Sequence, residues 1–231
     1  MKNYFSIEQK AETADIYIFG DITEYAWEEM GEVSAMSLTR QLKELDADII
    51  NVHIDSYGGS VSEGWAIYNS LLQHKAKVNT FADGFVASAA LYPFLAGDTR
   101  TASSLSAFYM HEAMTSAYGY ADDLRKAAET AETMTDIGVR AFVERAGMDE
   151  DTVRALMREE TWLTPAEALE NGIATVITAE KPSGTRQSAK AAVMQNLFRK
   201  AEPTPAPTPA PEPEPAKPTI MEMLMNMSRK D

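Results

Sequence analysis

Four short stretches of this 231-residue chain carry groups suited to acyl transfer by a serine. The first is Gly84-Phe85-Val86-Ala87-Ser88-Ala89-Ala90, inside an apolar run from Phe81 to Ala96 in which Ser88 is the only serine. Such a run, bounded by Gly84 and by Gly97-Asp98, reads as a buried helix entered through a tight turn. Ser88 then falls near the helix N-terminus, where unpaired N–H groups and the helix dipole favour negative charge. That suits a hydroxyl that must become a nucleophile. Taken alone, the motif equally describes a small residue packed where space is short.

A nucleophilic serine needs a base, an oxyanion site and a group that orients the base. Three histidines exist, His53, His74 and His111. His111 follows the apolar stretch Ala107-Phe108-Tyr109-Met110, where an imidazole can reach a neighbouring helix N-terminus and act as a general base. His53 points away from Val52 and Ile54 on its strand, and His74 sits beside Lys75 near a helix C-terminus, where a cation needs no function. The Gly58-Gly59 turn lets backbone approach a ligand closely and offers N–H groups to an oxyanion. Glu159 and Glu160 supply carboxylates. Each feature also has an ordinary structural reading: a solvated histidine, a strand-to-helix turn, an acidic helix end.

The elements that must position these groups follow from periodicity. Residues 1–13 are polar and read as loosely held. Asp15 to Gly20 reads as a strand. Asp21 to Glu32 reads as an acidic loop or short helix. Ser34 to Leu45 carries Leu38, Leu42 and Leu45 at helical spacing. Ile49 to Asp55 is a strand with Ile50, Val52 and Ile54 on one face. A helix with Val61, Trp65, Tyr68 and Leu72 on one side comes next, then a strand over Lys77 to Phe81 and the helix carrying Ser88. Thr99 to Ala102 and Ser106 to Met110 read as short strands. This alternation predicts an α/β unit with crossover connections. Beyond it, Ala121 to Gly147 reads as one long helix with Leu124, Ala128, Ala131, Met134 and Phe142 apolar. Asp149 to Arg158 is a short helix, and Glu160 to Leu163 is extended. Thr164-Pro165-Ala166-Glu167 starts a helix with a capping box, and Ile173 to Ile177 closes the domain as a strand.

Composition narrows the function class. The chain's net charge of −14 divides into −17 over residues 1–180 and +3 over residues 181–231, so the body repels nucleic-acid backbones and no nucleic-acid partner is expected. The absence of cysteine excludes disulfides, cysteine-ligated zinc and thiol nucleophiles. No apolar segment is long enough to span a bilayer and no signal-peptide pattern opens the chain, which predicts a cytoplasmic protein without a membrane partner. The globular part is expected to occupy residues 1–180. Residues 181–218 read as a polar and then proline-rich linker, and 219–231 as a methionine-rich segment able to fit an apolar groove.

Taken jointly, four motifs resemble the Clp protease proteolytic subunit (ClpP) family. They are Ile54-Asp55-Ser56-Tyr57-Gly58-Gly59-Ser60-Val61, Gly84 to Ala90, Tyr109-Met110-His111, and Trp162-Leu163-Thr164-Pro165-Ala166-Glu167-Ala168 with Gly172. The resemblance covers roughly residues 14–178, and order and spacing together are far more specific than any single motif. It implies a ClpP/crotonase-like α/β fold of repeated ββα units with a protruding helical handle at Ala121 to Gly147. It further implies a serine endopeptidase, acting on proteins and peptides, that assembles as a homo-oligomeric ring. By position, Ser88 would be the nucleophile, His111 the base, and the N–H groups of Gly59 and Ala89 the oxyanion hole. Glu160 would be the third triad member where the family usually has Asp, with Glu159 as the alternative. No cofactor or metal is implied. Tyr57 stands where the family commonly has Pro, and the family's pore-lining amino-terminal segment is not recognisable. With the proline-rich tail, these departures look most like the head-maturation (prohead) proteases of tailed phages, which implies capsid or scaffold substrates. The alternatives are a housekeeping-like subunit working with an AAA+ unfoldase and a catalytically silent ring-forming homologue.

Overall fold

The computed structural model describes residues 5–10, 12–24 and 33–178. The expected linker over 181–218 and the methionine-rich segment over 219–231 lie outside the described residues, as does most of the acidic stretch from Asp21 to Glu32.

An eight-stranded mixed sheet carries the site. Its strands are β1 (Phe5–Lys10), β2 (Thr13–Ile18), β3 (Ile49–Ser56), β4 (Lys77–Ala87), β5 (Thr99–Ala102), β6 (Ala107–Met110), β7 (Thr161–Leu163) and β8 (Val176–Ile177). β2, β3, β4, β5 and β8 run parallel in that order, and β1 adds an antiparallel edge on β2. Helices α1 (Ala35–Glu44), α2 (Val61–Leu72), α3 (Leu91–Leu95), α4 (Ala121–Ala146), α5 (Glu150–Arg158) and α6 (Pro165–Glu170) complete the fold. No helix among the described residues is long and apolar enough to cross a membrane.

The core forms where strand alternation meets helical stripes. Ile16 and Ile18 of β2, Ile50, Val52 and Ile54 of β3, and Ala82 of β4 are fully buried, as are Leu38 of α1 and Ile67 and Leu71 of α2. The opposite sheet face carries Tyr17, His53 and Phe81 in register across three strands, with His53 stacked between the two rings. Local chemistry sets the helix ends. Ser34 caps α1 by accepting from the Ser37 N–H, and Asp149 caps α5 by accepting from the Thr152 N–H. Thr164 and Glu167 form the expected capping box on α6.

Several expectations change. Residues 5–10 pair along the whole of β2 rather than hanging loose, because β2 offers an unpaired edge to a polar but β-compatible segment. α2 buries Gly64, Ile67 and Leu71, whereas Val61, Trp65 and Tyr68 pack at the margin and Leu72 is exposed. The buried stripe of α4 is Thr135, Gly138, Val139 and Phe142, confined to its C-terminal half. The closing strand shrinks to Val176–Ile177.

The largest change concerns the approach to Ser88. Gly84 to Ala87 is not the start of a helix but the second half of β4. The first half pairs with β5, and Phe85 to Ala87 then pair with β6. The handover coincides with a register shift against β3 between Ile54 and Ser56. There the Asp55 carboxylate accepts from the Phe85 N–H at 2.9 Å, and a Cβ on Gly84 would come within 2.3 Å of Asp55 Oδ1. Ladder pairing on both sides thus holds an apolar segment extended, whatever helical signal its length carries.

Candidate active site

Ser88 opens a single 3-10 turn, Ser88–Ala90, between the end of β4 and α3. Its φ of 55° lies in the left-handed region, which costs an L-residue about 1–2 kcal/mol. The small residues Ala87, Ala89 and Ala90, all buried, let the chain turn this sharply. A strained strand-to-helix turn lifts the Ser88 side chain clear of its own strand, as a nucleophile requires.

His111 follows β6, which pairs with β4 directly alongside Ser88 through Ala87 opposite Tyr109. This parallel register brings the imidazole to the serine: His111 Nε2 lies 2.7 Å from Ser88 Oγ. The other ring nitrogen, Nδ1, lies 2.6 Å from the backbone carbonyl oxygen of Glu112. A carbonyl oxygen can only accept, so Nδ1 carries the proton and Nε2 presents a lone pair to the serine O–H. The segment after His111 is anchored by α4, where Thr135 Oγ1 accepts from the Ala113 N–H at 3.0 Å.

The Gly58-Gly59 turn packs against this pair. Gly58 has φ 95° and Gly59 φ 135°. A Cβ on Gly58 would come within 2.6 Å of the Ala87 carbonyl oxygen and 2.8 Å of Ser88 Cβ, so only glycine permits this approach. Ser56 shapes the turn, accepting from the Gly58 N–H and donating to the Gly20 carbonyl. The bridge to Ile22 uses the Gly58 carbonyl and the Ser60 N–H. Gly59 is exposed, its N–H takes no part in that bridge, and the residue lines the same groove as Ser88. Ala89 sits in the first turn after Ser88, where backbone N–H groups lack helical partners.

The carboxylate expected to orient His111 is elsewhere. Glu160 is not extended but holds a left-handed turn at φ 51°, which directs its side chain to Tyr109: the Tyr109 hydroxyl approaches Glu160 Oε2 at 3.5 Å. Glu159 caps the end of α5 and is exposed. Among the described residues, no hydrogen bond joins either carboxylate to His111. Partial burial, with the Glu160 charge and hydrogen bond adding to it, raises the Tyr109 pKa above its usual range. Neither remaining histidine joins the site: His53 Nδ1 pairs with Asp83 at 2.7 Å, and His74 Nδ1 accepts from the Ala76 N–H.

Two compartments meet at Ser88. An inner recess of about 20 Å³ is lined by Ala89, Met110, Thr135 and Phe142, and an outer groove of about 350 Å³ by Tyr57, Tyr109, Met114 and Trp162. Thr135, Tyr109 and Ser56 were missed from the sequence. Ser56 was findable as a hydroxyl two residues before a glycine turn. Thr135 was findable by drawing the α4 stripe back from Phe142. Tyr109 stands in the Tyr109-Met110-His111 motif, but nothing in the sequence marks its contact with Glu160.

Known proteins share both sequence and fold with this chain. The chain is 28% identical to "ATP-dependent Clp protease proteolytic subunit 1" of Prochlorococcus marinus over 157 residues, covering 67% of this chain and 80% of the relative. It is 27% identical to the "ATP-dependent Clp protease proteolytic subunit" of Pleurastrum terricola over 186 residues, covering 75% and 93%. Among solved structures, a point mutant of a ClpP subunit from Listeria monocytogenes superposes with a TM-score of 0.60, covering 74% of this chain and 92% of that one, at 24% identity. That likeness gives the fold, an α/β arrangement of the ClpP type. The Clp protease family profile matches residues 7–181, more than half of the chain, and the chain therefore belongs to the Clp protease family.

Proposed function

We propose that this chain is a serine endopeptidase in which Ser88 is the nucleophile, His111 the general base, and the N–H groups of Gly59 and Ala89 the oxyanion site. The observation that carries this reading is the 2.7 Å contact between Ser88 Oγ and His111 Nε2, with the tautomer set by the Glu112 carbonyl. As Ser88 Oγ bonds to the substrate carbonyl carbon, its proton passes to Nε2, and negative charge gathers on the carbonyl oxygen beside the two N–H groups. The imidazolium then gives that proton to the leaving amine as the C–N bond breaks, leaving an acyl-enzyme. Water enters, His111 takes its proton, and the same steps in reverse order free the acid and restore Ser88. Throughout, Nδ1–H stays on the Glu112 carbonyl, and Glu160 has no place in the proton path.

Within this activity, the biological role is processing of capsid and scaffold proteins during phage head assembly by a homo-oligomeric ring whose catalytic body spans residues 1–180. The proline-rich segment and Tyr57, both foreign to housekeeping members, support it. A second reading, degradation together with an AAA+ ATPase, is supported by relatives whose printed names are ATP-dependent proteolytic subunits. The test is mass spectrometry of the purified wild type beside Ser88→Ala, each incubated with candidate capsid and scaffold substrates. Cleavage by the wild type alone is expected; equal cleavage by both sinks the serine mechanism. Cleavage that requires an added ATPase and ATP would select the second reading.

A further inference from the structure

We infer that Thr135 is a positioning residue for the base: through one peptide group it aims the Glu112 carbonyl at His111 Nδ1, the task an orienting carboxylate would otherwise perform; this rests on the serine-peptidase reading of Ser88. The Glu112 C=O and the Ala113 N–H are the two ends of a single peptide unit. Such a unit is planar and trans, so fixing the direction of its N–H fixes the direction of its C=O. The N–H donates to Thr135 Oγ1 at 3.0 Å, and the oxygen stands 2.6 Å from His111 Nδ1. Thr135 in turn donates its own hydrogen to the Ala131 carbonyl, one turn back in α4, at 2.9 Å. A hydroxyl has one hydrogen to give, so with that hydrogen on Ala131 it meets Ala113 with a lone pair.

The result is a hydrogen-bonded chain whose donors all point one way. Ser88 donates to His111 Nε2, Nδ1–H to the Glu112 carbonyl, the Ala113 N–H to Thr135, and Thr135 to the Ala131 carbonyl. Bonds aligned in one sense polarise one another, so donation from Ala113 makes the Glu112 oxygen a stronger acceptor as the imidazole takes on positive charge. Little else steadies this peptide. Residues 111–118 belong to no helix or strand, and among the described residues no other hydrogen bond reaches the main chain from Ala113 to Tyr118. The ion pair of Glu112 with Arg158 spans 3.8 Å between exposed side chains and leaves the carbonyl free to swing.

Two other threonines of α4 set the contrast. Thr130 and Thr133 also donate to the carbonyl four residues back, an ordinary habit of threonine in a helix. Both are exposed, whereas Thr135 is 9% exposed, lines the recess beside Ser88 and His111, and accepts a donor from outside its helix. Thr135 does not choose which ring nitrogen carries the proton, because the carbonyl does that unaided. It decides how much of the time the carbonyl, and with it the ring, stands in line with Ser88.

The experiment uses the full chain, as it assembles, and compares Thr135→Val, which keeps the shape without the hydroxyl, Thr135→Ser, which keeps the hydroxyl, and Thr133→Val. Both kcat and KM are measured on a quenched peptide, with kcat normalised to the Ser88 labelled at completion by a fluorophosphonate. Thr135→Val should lose about tenfold in kcat, the worth of one hydrogen bond, with KM little changed. Thr135→Ser should recover most of that loss, and Thr133→Val should match the wild type. An unchanged kcat in Thr135→Val, or an equal loss in Thr135→Ser, overturns the positioning role, while cleavage and labelling by the wild type keep the peptidase reading. Amide hydrogen exchange in the wild type gives a second test that needs no variant. The Ala113 amide should exchange more slowly than those of Met114 to Tyr118, and exchange at their rate overturns the anchor. No labelling and no cleavage by the wild type overturns both readings.

Discussion

Glu160→Gln tests how His111 is oriented. In the structure the imidazole Nδ1 is held by the Glu112 carbonyl at 2.6 Å, and Glu160 lies against Tyr109 at 3.5 Å, the outer limit of a hydrogen bond. Both Glu160 and its contact face solvent, where such an interaction is worth less than about 1 kcal/mol. Even if all of that were lost in the transition state, kcat/KM would fall by about fivefold or less. A carboxylate that orients and stabilises the imidazolium behaves differently: replacing it by its amide costs about 10⁴ in serine proteases, chiefly through the wrong tautomer. Here a backbone carbonyl sets the tautomer, and no side-chain substitution alters it. The two accounts therefore differ by about three decades, far outside any uncertainty in folding or concentration. The assay is kcat/KM on a quenched peptide near neutral pH, normalised to the fraction of Ser88 labelled by a fluorophosphonate. An independent readout is the Tyr109 ionisation followed by NMR. The Glu160 charge and hydrogen bond help hold that pKa up, so Glu160→Gln should lower it. A loss near 10⁴ with Tyr109 shifted as expected would refute the reasoning. It would mean that Glu160 leaves Tyr109 for His111 during turnover.

Two further outcomes follow from packing. Burial of Tyr92 against Gly138 and Phe142 pushes its pKa up to about 12 from an ordinary 10. A raised folded-state pKa means that the folded chain keeps a proton the unfolded chain has released. Stability is then fully present below pH 10 and lost by about 3 kcal/mol as pH rises through 12; denaturant titrations should show this fall in the wild type and a shallower one in Tyr92→Phe. Gly58→Ala should cost at least about 2 kcal/mol, since its left-handed φ and the clash with the Ala87 carbonyl act together. It should also sharply reduce Ser88 labelling, whereas thermal unfolding at wild-type temperature with normal labelling would show that the turn and Ser88 are not mechanically joined.

Much of this molecule was legible in its residues, and particular cases show why. Ile50, Val52 and Ile54 declare a half-buried strand by alternation alone, and Thr164-Pro165-Ala166-Glu167 declares a helix start because cap chemistry acts within four residues. The grouping of Ser88, His111 and Gly58-Gly59 was readable as well, since each stands at the end of an element and the order of elements dictates which ends meet. What local signals could not reveal depended on contacts between distant segments. Gly84 to Ala87 has the length and apolarity of a helix start, yet β6 on one side and the Asp55 carboxylate on the other keep it extended. Glu160 occupies the expected place in the chain, but one left-handed residue sends its carboxylate to Tyr109. The partner of the His111 Nδ1 turned out to be a main-chain oxygen, a group every residue carries and no residue type advertises. An aromatic row, with Tyr57 on Phe85, Phe85 against Trp162 and Trp162 on Tyr109, likewise unites residues more than a hundred positions apart. Their meeting is decided by the pairing of β4 with β6 and of β6 with β7. Periodicity and caps are properties of a segment and survive in the sequence, whereas the direction of a side chain across a groove belongs to the assembled sheet.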